Sequence, residues 1–135
     1  MRSNLKLALA LLAGIGLGAV ATHGLTAATE IKRNVLQHSD LTGSGTTEVY
    51  MSVIEAPPGS SFAPHIHHGD EFTYVMEGAI DLDLAGQGTK SVKAGDSIHV
   101  MRDQVHGGSV ISATPAKLLA VHIVDKGKPL AEAAK

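Results

Sequence analysis

An all-β sandwich or barrel is the fold class that this sequence predicts, and three observations carry the prediction. Short runs that are apolar, or alternate apolar with polar, recur along residues 48–124. Glycine and proline break these runs at regular spacing, and no interior segment has a convincing helical periodicity. The 135 residues suffice for one domain at most, with a single modest core.

Taken in order, the chain opens with Arg2 and Lys6, then an apolar run from Leu7 to Val20, then the small residues Ala19-Val20-Ala21 in an A-x-A pattern. Residues 1–21 therefore read as a secretory signal peptide cleaved after about Ala21, with Ala27 or Ala28 as other cutting points. The alternative is an uncleaved membrane anchor, since the run is nearly long enough to span a thinned bilayer. Its shortness and its glycines favour cleavage. The expected location is periplasmic or secreted, or membrane-anchored if the segment is retained. Cleavage would remove two of eleven basic residues and none of the thirteen acidic ones, so the mature chain carries net charge −4. That balance favours solubility and gives no attraction to anionic lipid.

Residues 22–47 form an N-terminal arm and loop. Thr22 to Gln37 is polar and irregular and ends in an extended segment near Ile31 to Leu36, and Ser39 to Gly45 is a loop by composition. The barrel core spans 48–125. Glu48 to Ala56 is a strand closed by Pro57-Pro58-Gly59, and Phe72 to Met76 is another, turning at Glu77-Gly78. In Ala79 to Leu84, Ile80, Leu82 and Leu84 alternate with Asp81 and Asp83, the pattern of a half-buried strand. Ala85 to Gly88 makes the next turn. Thr89 to Lys93, Ser97 to Met101, a shorter strand after His106 and Lys117 to Val124 complete the set. Residues 126–135 are a C-terminal tail.

Composition removes several function classes. Without cysteine there is no disulfide, no thiolate ligand, no cysteine nucleophile and no lipidation cysteine. Tryptophan is absent and the aromatic residues are Tyr50, Phe62, Phe72 and Tyr74. Neither stacking platforms nor basic runs are present, so no nucleic-acid partner is expected.

The chemistry concentrates in Gly59 to Gly78, which contains His65, His67 and Glu71. His106 follows a second glycine-led segment, Gly95 to His106. Side chains alternate across a strand, so His65 and His67 project from one face. Imidazole nitrogens and a carboxylate oxygen converging on one point suit a borderline divalent cation. His68 has the opposite parity and reads as a solvent-facing turn residue. By the same alternation Thr73 and Val75 share the side of Glu71, while Phe72 and Tyr74 point away. His99 and His122 lie in strands as surface residues or supporting donors, with the surface reading favoured. His23 and His38 fall in loops and carry no signal. Arg102 and Asp103 read as an exposed ion pair before His106. Arg33 is assigned to the arm, which leaves the site little provision for gripping a phosphate or dicarboxylate.

The spacing Gly59-x5-His65-x-His67-x3-Glu71-x6-Gly78 resembles the first motif of the cupin superfamily at every fixed position. Gly95, Asp96 and His106 match its second motif, where Met101 stands for the usual proline, Asp103 for the glycine and Val110 for the asparagine. The resemblance covers Val49 to Val124. It implies a small single-domain cupin-type jelly-roll β-barrel, a double-stranded β-helix, usually a homodimer, with one divalent transition metal held by His65, His67, Glu71 and His106. The metal would be Mn, Fe, Ni, Cu, Co or Zn, with open positions for a small-molecule ligand or substrate. The functions expected are a metal-dependent oxygenase, decarboxylase or isomerase, or a non-catalytic module that binds a small ligand or metal. No catalytic acid–base pair beyond the ligands is identifiable.

Overall fold

Glycine and proline turns cut residues 30–135, the part of the chain that the computed structural model describes, into ten strands with no helix among them. None of these residues forms a helix long and apolar enough to cross a membrane. The signal-peptide run and its cutting points lie outside the described residues, as does His23.

The strands are β1 (Lys32–Asp40), β2 (Thr47–Ala56), β3 (Ser61–Ile66), β4 (Gly69–Glu77), β5 (Ala79–Leu84), β6 (Gly88–Lys93), β7 (Ser97–Val100), β8 (His106–Val110), β9 (Ala116–Asp125) and β10 (Glu132–Ala133). They form two five-stranded antiparallel sheets, β1-β2-β9-β4-β7 and β10-β3-β8-β5-β6. The chain changes sheet at nearly every connection, and only the β1–β2 and β5–β6 pairs stay within one sheet. The result is the expected all-β jelly roll.

Alternation decides what lies inside. On β9, Ala116, Leu118, Ala120, His122 and Val124 are buried, and the residues between them are partly exposed. On β4, Thr73 and Val75 are buried while Phe72 and Tyr74 face solvent, as parity predicts. One end of the interior is apolar except for the buried Ser52 opposite Ala120. Ile54, Ala56, Val75, Ile80, Val110, Ala116, Leu118 and Ala120 pack there, and burial of each aliphatic side chain contributes about 1.5–3 kcal/mol for the larger ones. Leu82, Leu84 and Val100 form a smaller cluster nearer the other end.

The turn that closes β4 depends on Gly78. Its φ is +75°, and a Cβ there would lie 2.7 Å from the Pro115 carbonyl oxygen and 2.8 Å from the Ala116 Cα. Backbone atoms cannot yield as a flexible side chain can, so this position needs glycine on both conformational and steric grounds.

Two segments differ from their sequence reading. The extended end of the arm is a nine-residue edge strand, β1, which runs on through His38, Ser39 and Asp40; those three are not loop residues. Every residue of β1 is exposed, so backbone pairing with β2 holds it rather than an apolar face. His38 stacks on Tyr50 at 3.9 Å and contacts Glu48 at 2.8 Å. The C-terminal tail is also tied down, since Glu132 and Ala133 pair with Ile66 and His65 on β3.

Candidate metal centre

Strand register brings the four predicted residues together from three strands and one loop, and adds His122 from a fourth strand. His65 at the end of β3 lies opposite His106 at the start of β8. His67 follows β3 directly, and Glu71 on β4 lies opposite His122 on β9. Between them Gly69 lets β4 press against β9, because a Cβ on it would sit 2.0 Å from the Ile123 carbonyl oxygen.

The ligand atoms fall into two groups that share His67: His65, His67 and His106, then His67, Glu71 and His122, with all atoms of each group within 4.8 Å of one another. Glu71 Oε2 lies 2.9 Å from His67 Nε2, 3.3 Å from His106 Nε2 and 3.5 Å from His122 Nε2. Its other oxygen, Oε1, accepts a 2.6 Å hydrogen bond from Thr73. Thr73 thus orients the carboxylate, leaving Oε2 for the imidazoles.

Three of the rings are fixed from behind. His65 Nδ1 donates to the Ala63 carbonyl at 2.7 Å, His106 Nδ1 to the Gln104 carbonyl at 2.9 Å, and His67 Nδ1 to the carbonyl of Leu130 in the tail. A carbonyl only accepts, so Nδ1 carries the proton and each neutral ring turns an Nε2 lone pair inward. His67 Nε2 and both nitrogens of the fully buried His122 have no hydrogen-bond partner among the described residues. Lone pairs facing a carboxylate oxygen at about 3 Å repel unless a proton or a cation lies between them. For bonds of about 2.0–2.2 Å, ligand atoms around one ion are roughly 3–3.5 Å apart. The donor set therefore fits a divalent transition ion.

Electrostatics agree with that fit. Burial works to raise the Glu71 carboxyl, but the imidazoles of His106, His122 and His67 close around it outweigh burial and hold the group well below the ordinary range. Burial lowers His65 and His122. Burial also acts downward on His106, but the Glu71 carboxylate and the Gln104 carbonyl turn the net shift upward. An ionised carboxylate beside two imidazoles biased towards neutrality is the state in which these groups can ligate.

Beside the cluster is a cavity of about 70 Å³. Its lining combines His65, Glu71, His106 and Arg33 with apolar side chains from both sheets.

Three sequence assignments are corrected here. His122 is not a surface residue, because the parity it shares with Leu118 and Ala120 puts it inside. Arg33 is not remote from the site. It pairs with the buried Ile54, cross-strand partners share a face, and so its side chain is directed to the cavity side. Arg102 is exposed and ion-paired, but its partner is Asp125, through a two-pronged bond at 2.8 and 2.9 Å, and not Asp103, which contacts His68. The remaining assignments agree with the structure. His99 is exposed, stacks on Phe72 and contacts Asp70 at 2.9 Å. His68 turns away from the cluster to contact Asp103 and Glu132, both at 3.0 Å. Asp103 has φ +56°, the left-handed conformation that a glycine would take without strain, and its backbone N–H donates to the His67 carbonyl at 2.9 Å. The departure from the second motif therefore preserves the turn before His106.

The fold and the cluster together define a jelly-roll barrel whose interior histidines and glutamate could hold a metal. The chain belongs to the cupin family: residues 52–122 match the family described as Cupin domain. No curated protein matches the chain in sequence. Among solved structures, a polyketide cyclase from Streptomyces resistomycificus is 26% identical with a TM-score of 0.60, covering 78% of this chain and 72% of its own. An uncharacterised protein with a double-stranded β-helix domain from Klebsiella pneumoniae is 24% identical with a TM-score of 0.60, covering 81% and 89%. A cupin superfamily protein from Desulfitobacterium hafniense is 17% identical with a TM-score of 0.59, covering 71% and 79%. The last two likenesses are likenesses of fold.

Proposed function

We propose that this protein is an exported single-domain cupin that binds one divalent transition metal through His65, His67, Glu71 and His106, and acts as a metal-dependent enzyme on a small organic molecule. The observation that carries the proposal is the convergence of the His65, His67 and His106 ligand atoms within 4.8 Å of one another, each ring anchored through Nδ1 to a backbone carbonyl, with Glu71 Oε2 2.9 and 3.3 Å from the Nε2 atoms of His67 and His106. His122 stands next to this set as an additional donor. When bound, the metal supplies Lewis acidity or redox chemistry of the oxygenase, decarboxylase or isomerase kind.

The chain's own residues do the rest. Thr73 holds the Glu71 carboxylate in orientation, and the apolar cavity wall limits water next to the cluster. The polyketide cyclase is an example of an enzyme on this barrel, although a fold does not by itself fix an activity. The second reading is a non-catalytic binding module. One observation favours it: apart from the cluster and Arg33, no titratable side chain among the described residues lines the cavity.

Metal analysis of the purified protein is expected to find close to one divalent ion per chain, and His67→Ala combined with His106→Ala is expected to abolish it. Metal retained by the double variant refutes the ligand assignment. Turnover of small organic acids, diketones or phenols supports the enzyme, whereas tight binding without turnover supports the module. Export is proposed from the leader pattern, and a mature N-terminus near residue 22 would establish it. A homodimer is proposed through the outer face of the β4–β9 sheet, where Phe72 and Tyr74 are exposed beside Leu119 and Val121. Light scattering should then give twice the chain mass.

A further inference from the structure

We propose that the cavity is a monocarboxylate site, in which Arg33 takes the carboxylate of a small organic acid and the apolar wall of Ile54, Phe62, Ile80, Leu82, Ile98 and Leu118 takes its body. The inference deepens the reading above, since it names the substrate class for that same centre. Its core, Arg33 facing an apolar cavity, does not require the metal.

The register of β1 against β2 places Arg33 on the same face as Ile54, which is 4% exposed and inside the barrel. Arg33 keeps solvent exposure as part of the edge strand, and it also lines the interior cavity together with His65, Glu71 and His106. Burial lowers the pKa of the guanidinium, with the Glu71 carboxylate acting in the opposite direction, and the positive charge is felt in turn at His122. Glu71 does not neutralise it by contact, because Glu71 Oε2 is engaged with His67, His106 and His122. A partly desolvated guanidinium costs free energy unless an anion meets it, and its planar fork suits a carboxylate.

The wall sets the rest of the ligand. Thr73 is the only hydroxyl-bearing residue among those lining the cavity, and it is committed to Glu71. A sugar or polyol would leave its hydroxyls unpaired, and a dicarboxylate would find one arginine for two charges. At about 10–15 Å³ per water, a cavity of about 70 Å³ has room for the displacement of only a few waters, which limits the ligand to a small acid.

The test uses isobutyrate and its neutral isostere isobutyramide, titrated calorimetrically into zinc-loaded and EDTA-treated protein. Wild type is expected to prefer the acid. Arg33→Gln should weaken acid binding about ten- to a hundred-fold with little change for the amide, as loss of charge-assisted hydrogen bonds predicts. Arg33→Lys should retain part of the preference, and zinc content should be unchanged in both variants. Equal binding of acid and amide by wild type, or an undiminished preference in Arg33→Gln, overturns the proposal. An Arg33-dependent preference that persists in EDTA-treated protein, with no zinc bound by wild type, upholds the carboxylate site and refutes the metal centre.

Discussion

The two ends of the barrel interior are built on the same strands but obey different rules. On β4, Val75 sits in the apolar end and Glu71 in the polar end, four residues away on the same face. On β9, Leu118 and Ala120 precede His122 along one buried row. At the apolar end burial is the main contribution, and the one unpartnered polar atom beside it among the described residues is the Ser52 hydroxyl, opposite Ala120. At the polar end, buried nitrogens lack partners and a carboxylate oxygen is crowded by lone pairs. The apolar end stabilises the fold whatever the conditions, whereas the polar end is a cost to the empty protein that a bound cation offsets.

The largest expected effect tests the apolar end. Val75 is fully buried and does not line the cavity. Val75→Ala should cost about 2–3 kcal/mol of unfolding free energy by denaturant titration, from lost burial and the cavity left behind. Metal content per folded chain should stay at the wild-type level. If metal content falls with stability, the two ends are not separable.

A smaller effect of opposite sign is expected at the polar end. His122→Leu removes two unpartnered nitrogens from a site with no exposure. The metal-free protein should gain about 1 kcal/mol, while the rise in melting temperature on adding metal should shrink. If the metal-free variant is destabilised, as Val75→Ala is, then packing governs both ends and the contrast fails.

The smallest effect concerns a buried carboxylate outside the centre. The hydrogen bond from His38 is the main reason that the Glu48 carboxyl lies below its ordinary value; burial opposes it, and the Gly127 N–H adds to it. A depressed carboxyl stabilises the fold above its unfolded pKa of about 4.3, and loses that contribution as pH falls through the folded value. The melting temperature of wild type should exceed that of Glu48→Gln at pH 7, and the gap should close below about pH 4. Chelator should leave this gap unchanged, which separates Glu48 from Glu71.

The sequence made the barrel legible because its turns are chemically marked and its first motif is specific. Parity within β4 correctly separated Thr73 and Val75 from Phe72 and Tyr74. It could not place His122, because β9 is apolar on both faces: Leu119, Val121 and Ile123 are as hydrophobic as Leu118, Ala120 and Val124. Nothing local marks which row is inside. Arg33 was illegible for another reason. The nine residues of β1 show no apolar period, and the strand exists by backbone pairing, so the direction of Arg33 follows from its register with Ile54 about twenty positions away. The role of Leu130 is equally non-local, since it is a carbonyl contact made by a tail.

That tail contact has a further consequence. Besides the His67 bond to Leu130, the segment is fastened by the pairing of Glu132 and Ala133 with β3, by the Ala134 N–H on the Pro64 carbonyl at 3.1 Å, and by His68 on Glu132. So short a strand should fray on its own, at low free energy. An imidazole that gives its Nε2 lone pair to a cation becomes a better Nδ1–H donor, so the last turn of chain should be gripped harder when the barrel is loaded. Coupling of this kind is reciprocal. A carboxypeptidase working inward through the tail would then read, in the rate at which it stalls before Leu130, whether an ion is bound on the far side of the His67 ring.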